Sequence, residues 1–280
     1  MRIDLHTHSN VSDGTLTPAQ VVEAASVAAL DVVALTDHDA TAGWASAAST
    51  AERVGIVFVP GVELSCRWYG VEPAIALHLL AYYVDGSDAG LVAEMARVRE
   101  ARERRAERII ALMRADGVDV TWEEVQTYAA GGTVGRPHLA RALIQRGLAT
   151  TVAETFVPSM LGERWRLPKE DTDVFVALSL VLNAGGVPIF AHPRATKRGR
   201  VVPDSLIIEM AGHGLAGLEA DHEDHSSEQR EEVRALALRL GLVVTGSSDF
   251  HGANKTVALG VHLTAPGAFE QIRDRARQTS

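Results

Sequence analysis

Residues 31–38 read DVVALTDH. A β-branched, apolar run of this kind suits a strand buried on both faces, as in a parallel sheet covered by helices. The run stops on Asp37 and His38, two groups that are costly at the end of a buried strand unless something there uses them. Both features recur outward from this stretch. On its N-terminal side, RIDLH (2–6) reads as a short strand ending on His6, with His8 two residues on and Asp13 in the next loop. TPAQ follows, with Thr17 as N-cap, Pro18 at the first helical position and Gln20 at N3, so a helix runs to about residue 29. On its C-terminal side an alanine-rich helix is expected over 41–54, then strands at 56–64 and 74–84 that carry Glu63 and His78. This alternation predicts a parallel sheet with helical crossovers.

The pattern changes near residue 88. To about 166 the chain reads as helices alone: a long Arg- and Glu-rich one, a second from the capping box TWEE (Thr121, Glu124), and a third after GRPH (135–138). The mixed charges of the first are expected to form a solvated face with i,i+4 ion pairs. Beyond it a helix is expected over 172–184, and strands return at 187–192, 214–221 and 241–249, with helices between. About seven strands in this order predict a distorted TIM-like (β/α)7 barrel formed by residues 1–87 and 167–280, with 88–166 as a helical insertion over the active-site face.

Length and composition agree with one large domain. The chain has 280 residues, 46% hydrophobic and 22% charged, with a formal charge of −9. That charge argues against a surface for long duplex nucleic acid. No apolar run is long enough for a membrane span, no signal peptide is visible, and the single cysteine, Cys66, fits a cytoplasmic location.

The histidines and acids fall at strand ends: His6 and His8, then Asp37-His38, Glu63, His78, His192, Glu219 with Asp221 and His222, and finally Asp249 with His251. In a β/α barrel these ends converge on one face, where active sites sit. Each fragment alone is weak; the repetition is specific, and a metal centre is its simplest common use. Without cysteine the ligands are nitrogen and oxygen, which suits Mn, Fe or Zn in a catalytic role. So many candidate ligands exceed the needs of one ion and predict two or three divalent ions sharing a carboxylate. Such a cluster can activate a water and clamp a phosphoryl group.

DLHTHSNVSDG (4–14), ALTDHD (34–39), GVEL (61–64), AH (191–192) and SSDFH (247–251) together resemble the motifs of the PHP family, named for polymerase and histidinol phosphatase domains. The resemblance implies one ion on His6, His8, Glu63 and Asp249, a second on Glu63, His78 and His192, and a third on Asp13, His38 and His251, with Asp37 behind them. GRPHLARAL (135–143) resembles the bacterial members that act on nucleotides, which implies removal of the 3′-phosphate of a nucleoside 3′,5′-bisphosphate by a metal-bridging hydroxide. Alternatives are 5′→3′ exonuclease action on short RNA, a histidinol-phosphate or other small-monoester phosphatase, and a non-catalytic metal-binding module. Arg136 and His138 are candidates for a second phosphate, Arg194 for a further cation, and His222 for substrate contact or general acid. His213, His225 and His262 read as surface or structural. After AHP the family pattern of an aromatic and a lysine gives way to RATKRGR (194–200).

Overall fold

The run at 31–38 forms β2 (Val32–Leu35), flanked in parallel by β1 (Ile3–Asp4) and β3 (Val57–Trp68) in a computed structural model that describes residues 1–129, 132 and 134–279. Both faces of β2 are covered. Val32 and Ala34 meet Leu5, Val59 and Tyr82 inside, while Val33 and Leu35 meet α1 (Pro18–Val27) and α2 (Trp44–Val54) outside. The cap expected for α1 is present, with the Thr17 hydroxyl on the Gln20 N–H and Gln20 reaching back to the Thr17 N–H.

β3 pairs with β4 (Ile75–Tyr82), and a two-residue β5 (Thr172–Asp173) lies along the end of β3. The path continues from β4 through β6 (Val187–Ala191) and β7 (Gly217–Asp221) to β8 (Val243–Gly246). Past β8, Phe250 bridges back to Thr7, so seven strands form a nearly closed barrel. The Tyr82 hydroxyl donates to the Leu5 carbonyl at 2.9 Å, across the interior between strands that are not neighbours. The sheet is mixed rather than all parallel, because β4 runs antiparallel to β3 and β6. Only residues 69–74 join β3 to β4, too few for a helical crossover. β5 is an addition to the expected strands. It forms where Thr172 and Asp173 reach β3, and the Asp173 carboxylate then caps α6 (Val174–Asn183).

Between β4 and β5 lie α3 (Ala89–Ala115), α4 (Trp122–Ala129) and α5 (Arg136–Gln145). They share a core of Ile109, Met113, Val125, Leu139, Leu143, Leu161 and Trp165. This layer lies on the loop after β1. A Cβ on Gly132 would stand 2.4 Å from the Asn10 carbonyl oxygen, so only glycine passes there. The charge pattern of α3 divides in two. Glu94–Arg97 and Glu100–Arg104 are surface pairs, as expected. Arg99, Arg102 and Arg105, three residues apart on another face, turn inward: Arg99 donates to the Asp39 carbonyl, Arg102 pairs with the Asp39 carboxylate at 3.0 Å and bonds Ser65, and Arg105 lines a cavity. Outside the barrel, α6, α7 (Asp204–Gly212) and α8 (Ser227–Leu240) cover the sheet, and α9 (Pro266–Thr279) adds Phe269 and Ile272 to the interior cluster. Among the described residues no helix is long and apolar enough to cross a membrane.

Candidate active site

Glu63 stands at the centre of the strand ends, fully buried and divided between two groups of rings. Its Oε2 lies 3.2 Å from His6 Nε2, 3.1 Å from His8 Nε2 and 3.3 Å from His38 Nδ1. Its Oε1 lies 2.7 Å from His78 Nδ1 and 3.2 Å from His192 Nε2. Asp249 Oδ1 completes the first group at 3.4 Å from His6 Nε2 and 3.3 Å from His8 Nε2. On the outer side Asp13 Oδ1 is 3.2 Å from His251 Nε2, and its Oδ2 is 3.9 Å from His38 Nε2. Potential ligand atoms lie within 4.8 Å of one another in three overlapping sets: His6, His8, Glu63 and Asp249; His8, Asp13, His38 and His251; and His38, Glu63 and His78. The grouping differs from the implied one in that His8 and His38 each join two sets, while His192 touches the cluster through Glu63.

The donor chemistry fits divalent cations. His6 Nε2 and His8 Nε2 face each other at 3.1 Å, with two carboxylate oxygens beside them. Four lone-pair sites converging in a buried space repel one another unless a cation lies among them. The protons show the same pressure. Burial opposes charge on His8, yet Asp249 and Glu63 push its pKa up to about 9. Burial likewise opposes charge on Glu63, yet His38, His78 and His6 hold its carboxyl well below the usual range. His38 Nδ1 is buried without a hydrogen-bond partner among the described residues. The backbone is also forced here: His192, Asp249 and Asp39 hold positive φ of 34°, 52° and 50°.

The loop SNVSDG is fixed from behind. Asp37 accepts from the Ser9 N–H at 2.8 Å and from the hydroxyls of Ser9 at 2.7 Å and Ser12 at 2.6 Å. It therefore shapes the loop that carries His8 and Asp13, and it does not face the convergent ligand atoms. A Cβ on Gly14 would come within 2.5 Å of the His8 carbonyl oxygen, which explains the glycine that closes this loop.

The structure separates the remaining candidates. His222 Nε2 lies 3.2 Å from Asp249 Oδ2, at the cluster's edge. Arg136 lies on the wall of a cavity of about 190 Å³ that also touches Asp13, His38 and His78. His138 turns away from that cavity: its ring is buried and its Nδ1 accepts the Gly135 N–H at 3.0 Å, capping α5. Arg194 also turns away, bonded to the Val202 carbonyl and Asp204. The cation that reaches the cluster from this loop is Arg198, which contacts Asp249 Oδ2 at 2.6 Å, Asp224 at 2.7 Å and His192 Nε2 at 3.1 Å. Lys255 meets the same Asp249 oxygen at 2.6 Å. His225 is structural, holding the Ala220 carbonyl and the Arg194 N–H.

Sequence reasoning missed the cations of the small cavity: Arg102, Arg105 and Lys169. The spacing of three along α3 was the available signal. Burial and the neighbouring arginine Arg136 lower the Arg105 pKa to about 10. At Lys169, Asp171 supports the charge, but burial and the arginines prevail and its pKa falls to about 8. A second space of about 690 Å³ continues from the cluster past Phe156, Arg166 and Lys197 to Arg200 and Lys255.

A PHP-domain model matches residues 4–120. A 3′,5′-nucleoside bisphosphate phosphatase from Chromobacterium violaceum is 32% identical over 257 residues, 89% of this chain and 87% of that one. The 5′-3′ exoribonuclease Rnm of Escherichia coli is 29% identical over 96% of this chain and 92% of its own length. A crystal structure from Bifidobacterium adolescentis, described as a metal-dependent phosphoesterase, superposes with a TM-score of 0.90 at 33% identity, covering 98% of this chain and 96% of that one. The buried nitrogen and oxygen cluster at the barrel mouth agrees with these relatives, and the chain is a metal-dependent hydrolase that belongs to the PHP family.

Proposed function

We propose that the protein removes a phosphate from a nucleotide carrying a second phosphate, with a nucleoside 3′,5′-bisphosphate as the substrate and two or three Mn, Fe or Zn ions held by His6, His8, Asp13, His38, Glu63, His78, His192, Asp249 and His251. One observation carries the substrate class. Arg105 and Arg136, both half-buried, have no hydrogen bond or ion pair among the described residues, and they share a cavity with Arg102 and Lys169. Arg136 lies over the Phe156 ring, at 5.1 Å to its centroid. Crowding four cations, two of them (Arg105 and Arg136) without a counter-charge among the described residues, is unfavourable, and an anionic group in the cavity relieves it. Asp13, His38 and His78 line the same cavity, so an anion there sits beside the cluster. Bound divalent ions would supply an activated water and draw charge from the phosphoryl oxygens. The arginines hold the second phosphate and set the distance to the reacting one. His222, Arg198 and Lys255 border the other side, where His222 can pass a proton to the leaving oxygen. In this reading residues 88–166 are an insertion laid over the catalytic face of a barrel made by 1–87 and 167–280.

The test is phosphate release, with Mn²⁺, from 3′,5′-bisphosphonucleotide, 5′- and 3′-mononucleotides, histidinol phosphate and short RNA. The bisphosphate is expected to lead, and Arg105→Ala or Arg136→Ala to cut its kcat/KM by roughly 10- to 100-fold, the loss of one charge-assisted contact, while sparing monophosphates. Equal rates on mono- and bisphosphates in the wild type sink the proposal. A second reading, 5′→3′ trimming of short RNA, draws on the larger space, whose lining adds Arg166, Lys197 and Arg200 as further cations for a phosphate chain. It predicts faster release from short oligonucleotides than from mononucleotides.

A further inference from the structure

Asp4, Asp37 and Glu219 are buried carboxylates near the cluster that do not join it. Asp4 accepts the N–H groups of Ser248 at 3.0 Å and Gly260 at 2.9 Å, tying the first strand to the last. Asp37 holds the Ser9–Ser12 loop, as described above. Glu219, at the centre of β7, differs because it reaches a ring. It is fully buried, and its Oε1 lies 3.0 Å from His6 Nδ1 and accepts the Ser247 hydroxyl. Its Oε2 accepts the His192 N–H at 2.9 Å, at a residue held in the left-handed region.

We propose that Glu219 is a positioning residue for the metal centre, keeping the proton of His6 on Nδ1 and holding His192 through its backbone. The argument is one of directions. A carboxylate can only accept from His6 Nδ1, so the ring proton is placed there and the Nε2 lone pair is left toward His8, Glu63 and Asp249. The same group fixes the backbone that carries His192, so one side chain orients rings on β1 and after β6. Ser247, the first serine of the SSD stretch, then has a role: its hydroxyl fixes the rotation of the carboxylate. A glutamine in this place cannot serve both partners. With its oxygen toward His6, its amide hydrogens oppose the His192 N–H; with the amide reversed, they oppose His6 Nδ1–H and favour the tautomer that cannot ligate through Nε2.

This inference rests on the reading of the cluster as a divalent-metal site. Zn²⁺ and Mn²⁺ binding by chelator competition, with total metal content, tests both. Wild-type protein that binds neither ion removes the underlying reading. If the wild type binds, Glu219→Gln is expected to weaken at least one ion by 10- to 100-fold, as loss of a ligand's supporting carboxylate does, with unchanged circular dichroism. Wild-type affinity in a folded Glu219→Gln protein overturns the inference. Should that variant not fold, Glu219→Asp keeps the charge but withdraws it by one methylene, and the same loss is expected; undiminished affinity there overturns it equally. Zn²⁺-loaded, ¹⁵N-histidine-labelled wild type gives a readout without mutation: a slowly exchanging proton on His6 Nδ1 is expected, and a proton on Nε2 refutes the assignment.

Discussion

The metal cluster and the cation cavity share a wall but are built in opposite ways. The cluster's side chains come from strand ends, are almost wholly buried and contact one another at 2.7–3.9 Å. The cavity's cations come from α3, the start of α5 and the segment before β5, and two of them have no partner among the described residues. The strand ends therefore bring most of their polar groups against one another, His38 Nδ1 excepted, while the insertion presents two arginines without a counter-charge among the described residues. The difference teaches which part can change: a closed network of buried groups tolerates few substitutions, whereas unpartnered arginines on helices can be exchanged without unmaking the fold.

The largest expected effect lies in the cluster. Asp249→Ala should lower phosphoesterase activity by at least about 10³-fold, of the order seen when a charge-stabilising group is removed from an active site, and should reduce bound metal in a folded protein. Near-normal activity would erase the distinction between the two regions.

Arg102 belongs to both, since it lines the cavity and pairs with the buried Asp39 next to His38. Arg102→Ala should destabilise the protein by about 3 kcal/mol, because the Asp39 carboxylate is left buried without its cation. Urea unfolding measures this, and a loss below about 0.5 kcal/mol would show that the insertion is not tied to the barrel through this pair.

The smallest effect concerns pH. Lys169, lowered to about 8, is charged below that pH and neutral above it, so the cavity loses a cation as pH rises. Affinity for a bisphosphate should fall roughly 5-fold between pH 7 and 9, about 1 kcal/mol for one partly exposed cation, beyond any change in metal loading. Lys169→Met should flatten that component. A fall of the same size in Lys169→Met would place the titration elsewhere.

Much of the barrel was legible because its rules are local. Buried strands need apolar β-branched runs, as at 31–35, and a ring at a strand end is conspicuous against them. The N-caps at Thr17 and Thr121 were equally local, whereas α5 begins inside GRPH, at Arg136, rather than after it. The direction of β4 was not legible, since an apolar run carries no sign of which way it is traversed; the short link at 69–74 was the clue. The arginines were the hardest. Arg194 and Arg198 stand four residues apart in one loop, yet Arg194 turns to Asp204 and Arg198 to Asp249. In α3, periodicity separates the faces but does not say which one meets the barrel.

By itself, the sequence determined the seven main strands and the histidines and acids at their ends, because burial and residue chemistry act over a few neighbouring residues. Only the tertiary structure decided which rings share an oxygen of Glu63, that Glu219 meets His6 Nδ1, and that Arg102 and Arg105 face inward. Those outcomes depend on residues as far apart as His6 and Glu219, 213 positions along the chain, meeting at 3.0 Å. Local pattern cannot set such a meeting; the closure of the barrel does.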